Sequence, residues 1–309
     1  MKILKPKFWD TKNSLIGLFL LPLSIFFQIL IILKNKTITR KKNSIPVICV
    51  GNIYIGGTGK TPLSIEIVKI LETLNKKTAI VKKSYKEHED EFKLIESNQI
   101  TLFKNSSRYR AINEAIKKKI DCVVLDDGFQ DFSISKDLNI ICFNEKQLLG
   151  NGMTIPSGPL REPISSLKRC QIIMINGKSN LEFEKKIRDV SKNVSIYYTN
   201  YLPTNIEHLK NKNLLAFAGI GNPENFFDLL EINNLKVKKK ISFPDHYKYS
   251  LKELNKLIDF SLKNNLKLIT TEKDFLRIKH FGLSNIEYLK IKVEIFDKDD
   301  FKEKIASYL

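Results

Sequence analysis

The chain has 309 residues, of which 42% are hydrophobic, and this is enough apolar material for two compact domains rather than a disordered chain. Its formal net charge of +18 favours anionic partners such as phospholipid headgroups, nucleic acid or a phosphorylated substrate, although many lysines can equally be solvated surface residues. The four cysteines are widely spaced and no C-x-x-C pair occurs, which excludes the usual zinc and dithiol motifs. We expect small buried thiols in a reducing compartment.

An apolar segment near the N-terminus predicts a membrane-associated helix. Residues 14–33 contain no charged side chain, and at ~1.5 Å per residue such a helix can cross a ~30 Å hydrocarbon layer. Lysines flank both ends and Pro22 interrupts the segment, so a helix that spans the bilayer and one that enters a single leaflet both fit. We assign residues 1–42 to this anchor.

A glycine-rich turn follows the first strand candidate. Residues 45–61 have the order strand, glycine turn, lysine, threonine and helix that phosphate binding requires, although Tyr54 stands where the general pattern has glycine. We predict a site for ATP or GTP, in which Lys60 reaches the β- and γ-phosphates and Thr61 ligates Mg²⁺. The predicted cradle consists of Gly56, Gly57, Thr58, Gly59, Lys60 and Thr61.

Acidic residues follow at two places. The strand candidate 121–125 runs into Asp126 and Asp127, and an apolar strand that ends in Asp places a carboxylate near the metal of a bound nucleotide. We therefore predict that these two residues serve Mg²⁺ and neighbouring polar chemistry. The polar cluster 88–91 alone is typical of a solvated loop, but a carboxylate there can also act as general base for a hydroxyl group.

Alternation of β-rich segments with amphipathic ones predicts a parallel sheet wrapped by helices. The predicted strands are 46–50, 78–81, 123–125, 139–142, 171–175, 194–198, 214–218 and 268–271. The predicted helices are 65–74, 108–118, 181–192, 223–231 and 251–264.

A series of sequence blocks resembles, in family order, the signature blocks of the tetraacyldisaccharide 4′-kinase family. The blocks are VGNIYIGGTGKTP (50–62), LDDGFQ (125–130), PSGPLREP (156–163), AFAGIGNPENFF (216–227), FPDHYKY (243–249) and TTEKDFLR (270–277). The resemblance also accounts for Tyr54, because the phosphate loop of this family is of the GGTGKTP type.

What the resemblance implies is an ATP- and Mg²⁺-dependent kinase that phosphorylates the 4′-hydroxyl of a tetraacyldisaccharide 1-phosphate in lipid A (lipopolysaccharide) biosynthesis. The implied location is the cytoplasmic face of the bacterial inner membrane, with the acylated substrate and inner-membrane lipid as partners. The implied fold is a P-loop NTPase-like parallel-sheet α/β domain, residues 43–205, with a smaller C-terminal α/β domain, residues 206–309, and the active site in the cleft between them. The sequence carries no signal for an oligomeric state.

The resemblance also implies roles for single residues. Asp90 matches the catalytic base, although Glu89 replaces the glycine that usually precedes it, and His246 matches a histidine that pairs with this base. The implied catalytic residues are Asp90, Asp127, His246 and Lys60. The implied metal ligands are Thr61, Asp126 and Asp127. The residues implied to line the site are Arg161, Glu162, Asp126 and Gln130.

Other classes of protein remain open from the residues alone. The first alternative is a membrane-recruited P-loop ATPase or GTPase switch, although residues 271–274 do not match the Asn-Lys-x-Asp element that reads guanine. A basic membrane adaptor without catalysis would leave the phosphate loop, the Asp pair and His246 unexplained. No nucleic-acid partner is expected, because no aromatic-interleaved basic motif accompanies the charge.

Overall fold

The computed structural model describes residues 6–12, 14–84 and 89–309, which divide into two compact units. The large unit comprises the described residues of Ile3–Ser84, Ile100–Asn200 and Glu294–Leu309, and the small unit those of Tyr85–Gln99 and Tyr201–Val293. The change of unit at residue 200 lies near the predicted boundary at 205. Residues 89–99 and 294–309 fall in other units than the ones we assigned, which a division of the sequence into consecutive blocks could not foresee.

The larger sheet contains most of the strands. Its members, numbered in chain order, are β1 (Val47–Gly51), β2 (Thr78–Lys83), β3 (Leu102–Asn105), β4 (Cys122–Asp126), β5 (Leu138–Asn144), β6 (Ile172–Asn176), β7 (Ser195–Pro203) and β12 (Ile291–Ile295). Among the described residues the strand order is β12-β7-β6-β5-β1-β4-β2-β3, and every neighbour pair from β3 to β7 is parallel. The predicted parallel sheet is confirmed. β3 and β12 were not predicted, and both lie at edges of the sheet with partly exposed residues.

The centre of this sheet positions the residues that matter for function. Every residue of β1 and β4 is buried, as expected for strands covered on both faces, and these two strands are neighbours with Val50 opposite Asp126. The carboxyl ends of both strands therefore meet at one edge of the sheet. Besides the N-terminal helix described below, the helices of this unit are α2 (Lys60–Glu72), α4 (Arg108–Lys117), α5 (Leu181–Val190) and α9 (Lys298–Ala306).

The cysteines lie in the interior, as we expected of small buried thiols. All four are free and buried. Burial raises the pKa of the Cys49 thiol to about 11 and that of Cys142 to about 12. These thiols are therefore protonated packing residues at neutral pH.

The small unit has its own parallel sheet. Its strands are β8 (Asn213–Ala218), β9 (Lys236–Ser242), β10 (Lys267–Thr271) and β11 (Ile286–Leu289), in the order β11-β10-β8-β9. Its helices are α3 (Glu89–Ser97), α6 (Pro223–Ile232), α7 (Leu251–Lys263) and α8 (Glu272–Ile278). β9 was not predicted, because its Lys-rich, mostly exposed sequence lacks the apolar residues of a buried strand.

The N-terminal apolar segment forms the helix α1 (Leu15–Lys36), which Ser14 caps. Among the described residues it is the one helix long and apolar enough to cross a membrane, with a mean hydropathy of 2.6 and most of its leucine, isoleucine and phenylalanine side chains exposed. One narrow stripe is buried instead. The Ser24 hydroxyl donates to Thr154 O (2.9 Å) and also lies 2.8 Å from Ser157 Oγ.

Gln28, one turn further along α1, extends this stripe. Its Nε2 donates to Arg161 O over 3.4 Å, and Ser24 and Gln28 lie on the same helix face because they are four residues apart. Ser24 and Gln28 therefore attach α1 to residues 154–161, which overlap the PSGPLREP block (156–163).

Candidate active site

The phosphate loop connects β1 to α2. Gly56 (φ +110°) and Gly59 (φ +86°) adopt left-handed backbone conformations that favour glycine, and Gly59 is the N-cap of α2. The first amide groups of α2, from Lys60 onward, have no acceptor within the helix. The loop therefore presents a helix N-terminus suited to an anion, as the sequence pattern predicts.

A buried asparagine braces this loop. The Asn52 side-chain Nδ2 lies 2.6 Å from Tyr54 O, 3.3 Å from Gly56 O and 3.0 Å from Thr58 Oγ1. It thereby engages loop carbonyls that would repel an anion if they were turned toward it. Tyr54 itself is buried in the hydrophobic core, and its backbone forms a bridge with Leu160. The departure from glycine at this position thus serves packing.

Thr61 and Asp126 lie in direct contact. The Thr61 hydroxyl donates to Asp126 Oδ2 (2.8 Å), and the ammonium of Lys82 on β2 pairs with the same carboxylate oxygen. Asp126 is fully buried, and its other oxygen, Oδ1, has no hydrogen-bond partner in the described structure. An unpartnered buried carboxylate oxygen beside a threonine hydroxyl fits Mg²⁺, which prefers oxygen ligands.

Asp127 occupies a different environment from its neighbour. Its carboxylate accepts from Arg161 Nη1 (3.0 Å to Oδ1), and Lys60 Nζ lies 3.6 Å from Oδ1. Burial would raise the pKa of Asp127, but the charges of Lys60, Arg161 and Lys82 outweigh it and hold that pKa well below its usual range. The Asp127 carbonyl accepts from Arg108 Nη2 (2.6 Å). Asp127 is therefore an ionised group surrounded by cations.

The predicted lining residues are connected to this group. Gln130 Oε1 accepts from Arg161 Nη1 (3.4 Å), and Gln130 Nε2 donates to the carbonyl of Asn52 (2.9 Å). Glu162 pairs with Arg169, and burial raises the pKa of Glu162 despite that partner. Lys60, Thr61, the Asp pair and these lining residues thus form one connected set, which we call the phosphate cluster.

The other predicted catalytic residues meet in the small unit. Asp90 lies in the first turn of α3 and is almost fully buried, where a solvated loop was one of our two interpretations of residues 88–91. His88 of that cluster lies outside the described residues. Arg277 on α8 donates to Asp90 Oδ2 from Nη2 (2.6 Å) and Nε (3.1 Å), and Lys273 Nζ lies 3.5 Å from the same oxygen.

His246 lies beside Asp90, as the resemblance implies. Its Nδ1 is 3.4 Å from Asp90 Oδ1, and its backbone, in a left-handed conformation (φ +53°), donates to Gly219 O (3.1 Å). Burial would raise the pKa of Asp90, but the hydrogen bond from His246 and the charges of Lys273 and Arg277 hold it well below its usual range. These four side chains form what we call the Asp90 cluster.

Comparison with known proteins identifies the family that carries this arrangement. Residues 16–309 match the family described as Tetraacyldisaccharide-1-P 4'-kinase. The chain belongs to this family.

Relatives in the kinase family align with the whole chain. The tetraacyldisaccharide 4'-kinase of Pelagibacter ubique is 41% identical, with 99% of this chain and 98% of that protein covered. The same enzyme of Rickettsia canadensis is 32% identical, with coverage of 99% and 97%. A solved structure of LpxK from Aquifex aeolicus in complex with ATP has a TM-score of 0.74 and 26% identity, covering 95% of this chain and 99% of that one. The family and fold predicted from the sequence blocks are confirmed.

Several residues of this kinase that contact the predicted site were assigned no role from the sequence. They are Asn52, Lys82, Arg108, Lys273 and Arg277. Lys273 and Arg277 lie in the TTEKDFLR block, whose match to the family was the available signal for them. Lys82 and Arg108 lie in no quoted block, and a charged residue on a strand or helix of a Lys-rich chain gave no reason to single them out.

Proposed function

We propose that the chain transfers the γ-phosphate of ATP to the 4′-hydroxyl of a tetraacyldisaccharide 1-phosphate. Membership of the kinase family supports this reaction class. The observation that carries the proposal in the structure is the contact of Thr61 with Asp126 beside the pair of Lys60 and Asp127, at the end of neighbouring parallel strands. A phosphoryl-transfer site requires residues of these types in such an arrangement.

The two aspartates of the phosphate cluster have different roles. Lys60 and the α2 N-terminus bind the triphosphate, and Arg161 adds positive charge beside Asp127. Thr61 and Asp126 would hold Mg²⁺, and the ion would neutralise negative charge on the nucleotide phosphates. We assign Asp126 to the metal because Thr61 contacts it and its Oδ1 is unpartnered, whereas the Asp127 carboxylate is engaged by Arg161 and Lys60.

The Asp90 cluster supplies the base for the acceptor hydroxyl. A carboxylate whose pKa is held low is ionised at neutral pH, so Asp90 is ready to accept a proton. Such a base is weak, which suits a loose transition state, in which the hydroxyl becomes acidic only as its bond to phosphorus forms. His246 and Arg277 orient the carboxylate, and His246 can also hydrogen-bond the reacting group.

The acceptor is acylated, and α1 offers a way to reach it. Its exposed apolar side chains can enter the hydrocarbon layer, and the lysines in its last turn can rest on anionic headgroups. We propose that the kinase works at the cytoplasmic face of the bacterial inner membrane, where ATP and the lipid are both available.

The deciding experiment combines the full chain in detergent with γ-labelled ATP, Mg²⁺ and a tetraacyl disaccharide 1-phosphate. We expect label in the lipid. Lys60→Ala should transfer at least 10³-fold less label, because it lacks the ammonium group that neutralises charge on the β- and γ-phosphates. Lys69→Ala, an exposed lysine on the same helix, is the matched control and should keep full activity. ATP hydrolysis that ignores the lipid, with no labelled lipid, would instead indicate the nucleotide-dependent switch.

A further inference from the structure

A cavity of about 290 Å³ lies beside the phosphate cluster in the large unit. Its walls include Arg40, Lys136 and Arg169, together with the rings of Phe129 and Phe132. None of the described residues that line it is acidic. Three cations from separate segments of the chain therefore face one space.

Backbone hydrogen bonds hold the chain segments that carry these cations beside the cavity. Lys41 N donates to Ser133 O (2.8 Å) and Ser135 N donates to Lys41 O (2.9 Å), which holds Arg40 next to the segment that carries Lys136. Lys136 Nζ donates to Phe129 O (3.1 Å). The arrangement is therefore a built cavity rather than a set of lysines and arginines on a mobile surface.

Arg169 is oriented by its neighbours in the same way. Its guanidinium lies over the Phe129 ring at 4.3 Å and the Phe132 ring at 4.4 Å, and its Nη2 pairs with Glu162. Asn139 Nδ2 donates to the Arg169 carbonyl (3.1 Å). A planar guanidinium fixed between rings and a carboxylate keeps a defined direction for its N–H donors, as recognition of phosphate requires.

The charge of the cavity is only partly compensated. Glu162 pairs with Arg169, and Asp131 is engaged by Arg108 (3.2 Å) and by the Ser133 hydroxyl. Burial lowers the pKa of Lys136, with Arg169 and Arg108 acting in the same direction, and burial likewise lowers the pKa of Arg169. Partly buried cations with this little opposite charge are stabilised when an anion joins them.

We propose that this cavity binds a phosphate monoester, and that its source is the 1-phosphate of the acylated disaccharide. The assignment rests on the proposed function, since the acceptor then carries a phosphate distant from the hydroxyl that reacts. Contacts run from Asp127 through Arg161, Gln130 and Glu162 to Arg169, so the cavity and Asp127 belong to one connected set of side chains. The same chemistry would also accept the phosphate of a membrane lipid headgroup.

Arg40→Gln is the test variant, because Arg40 is exposed and we therefore expect its substitution to leave the fold intact. Wild type, Arg40→Gln and the matched neighbour Lys42→Gln are assayed on two acceptors, the tetraacyl disaccharide 1-phosphate and the same lipid with a free 1-hydroxyl. We expect Arg40→Gln to raise KM for the phosphorylated acceptor about tenfold with little change in kcat, and to leave KM for the other acceptor unchanged. Lys42→Gln should match wild type on both.

A second arm compares mixed micelles that contain anionic or only zwitterionic phospholipid. Loss of anionic-lipid stimulation in Arg40→Gln, with its preference for the 1-phosphate unchanged, would overturn the substrate as the source and assign the cavity to headgroups. Arg40→Gln behaving like Lys42→Gln in every arm overturns the phosphate site altogether. Wild type that labels neither acceptor overturns the proposed function instead, so the two failures are distinguishable.

Discussion

The phosphate cluster and the Asp90 cluster each contain an aspartate whose pKa lies well below its usual range, Asp127 and Asp90, yet they are built differently. The phosphate cluster is built mainly from short runs of residues that follow the carboxyl ends of β1 and β4, together with the first backbone amides of α2. The Asp90 cluster uses side chains from separate segments, α3, the turn at His246 and α8. The first arrangement fits a ligand that brings its own charge, whereas the second fixes one carboxylate for proton transfer.

The largest expected effect separates chemistry from nucleotide binding. Asp90→Asn should lower kcat by about 10²–10⁴-fold, the usual contribution of a general base, and leave the Kd for ATP unchanged. Lys60→Ala should weaken ATP binding as well as turnover. Steady-state kinetics and calorimetric titration with ATP measure the two quantities. Equal weakening of ATP binding by both variants would show that the two clusters do not have separate roles.

A buried ion pair offers a test of the metal assignment. Lys82→Met leaves the buried Asp126 without its ammonium partner and should destabilise the protein by about 3–5 kcal/mol in the absence of nucleotide. ATP with Mg²⁺ should restore more stability to this variant than to wild type, because a cation then replaces the lost charge beside Asp126.

Thermal unfolding with and without ATP and Mg²⁺ measures this difference. Lys69→Met, which changes an exposed lysine, serves as the control and should unfold like wild type. Equal stabilisation of wild type and Lys82→Met by ATP with Mg²⁺ would argue against Asp126 as the metal ligand.

A smaller effect is expected when the base keeps its carboxylate but loses a positioning partner. Arg277→Met removes a charge that lowers the pKa of Asp90, so that pKa rises toward its ordinary value and Asp90 becomes protonated at higher pH than in wild type. The acidic limb of the kcat/KM profile should therefore move to higher pH, with about 10–100-fold lower kcat at the optimum.

The pH dependence of activity between pH 4 and 8 measures the shift. Arg277→Lys should recover part of the loss, because an ammonium restores the charge but not the paired donors. Arg188→Met on the exposed surface of α5 should leave the profile unchanged. An unshifted acidic limb in Arg277→Met would mean that this arginine does not act through Asp90.

The two clusters also differ in how far the sequence predicts them. The phosphate loop could be predicted from local sequence, because the strand, the glycine turn, Lys60 and Thr61 follow one another directly. Asp126 lies near this loop because it ends β4, the strand that pairs with β1. Family resemblance was needed for Asp90 and His246, since no spacing rule joins residues 156 positions apart. The sequence does not show which groups a charged residue such as Lys82 contacts, so its pairing with Asp126 became apparent only in the structure.

The fold shows the same division between local and long-range information. Buried strands such as β1 and β4 have continuous apolar sequences and were predicted correctly. The Lys-rich β9 and the edge strands β3, β11 and β12 were missed, because hydrogen bonding to a neighbour, rather than their own composition, makes them strands. The placement of residues 89–99 in the small unit likewise depends on packing against α8, far away in the sequence.

The attachment of α1 through Ser24 and Gln28 has a consequence for anyone who wishes to prepare a shortened, more soluble form of the enzyme. Removing residues 6–36 would not simply delete an appendage, since the acceptors at Thr154 and Arg161 and the amide of Ser157 would lose the groups that satisfy them. Arg161 contacts Asp127, so we expect a truncated protein to transfer phosphate more slowly even to a water-soluble acceptor. Replacing the outward-facing leucines and phenylalanines while keeping that polar edge is the better route to a detergent-free enzyme.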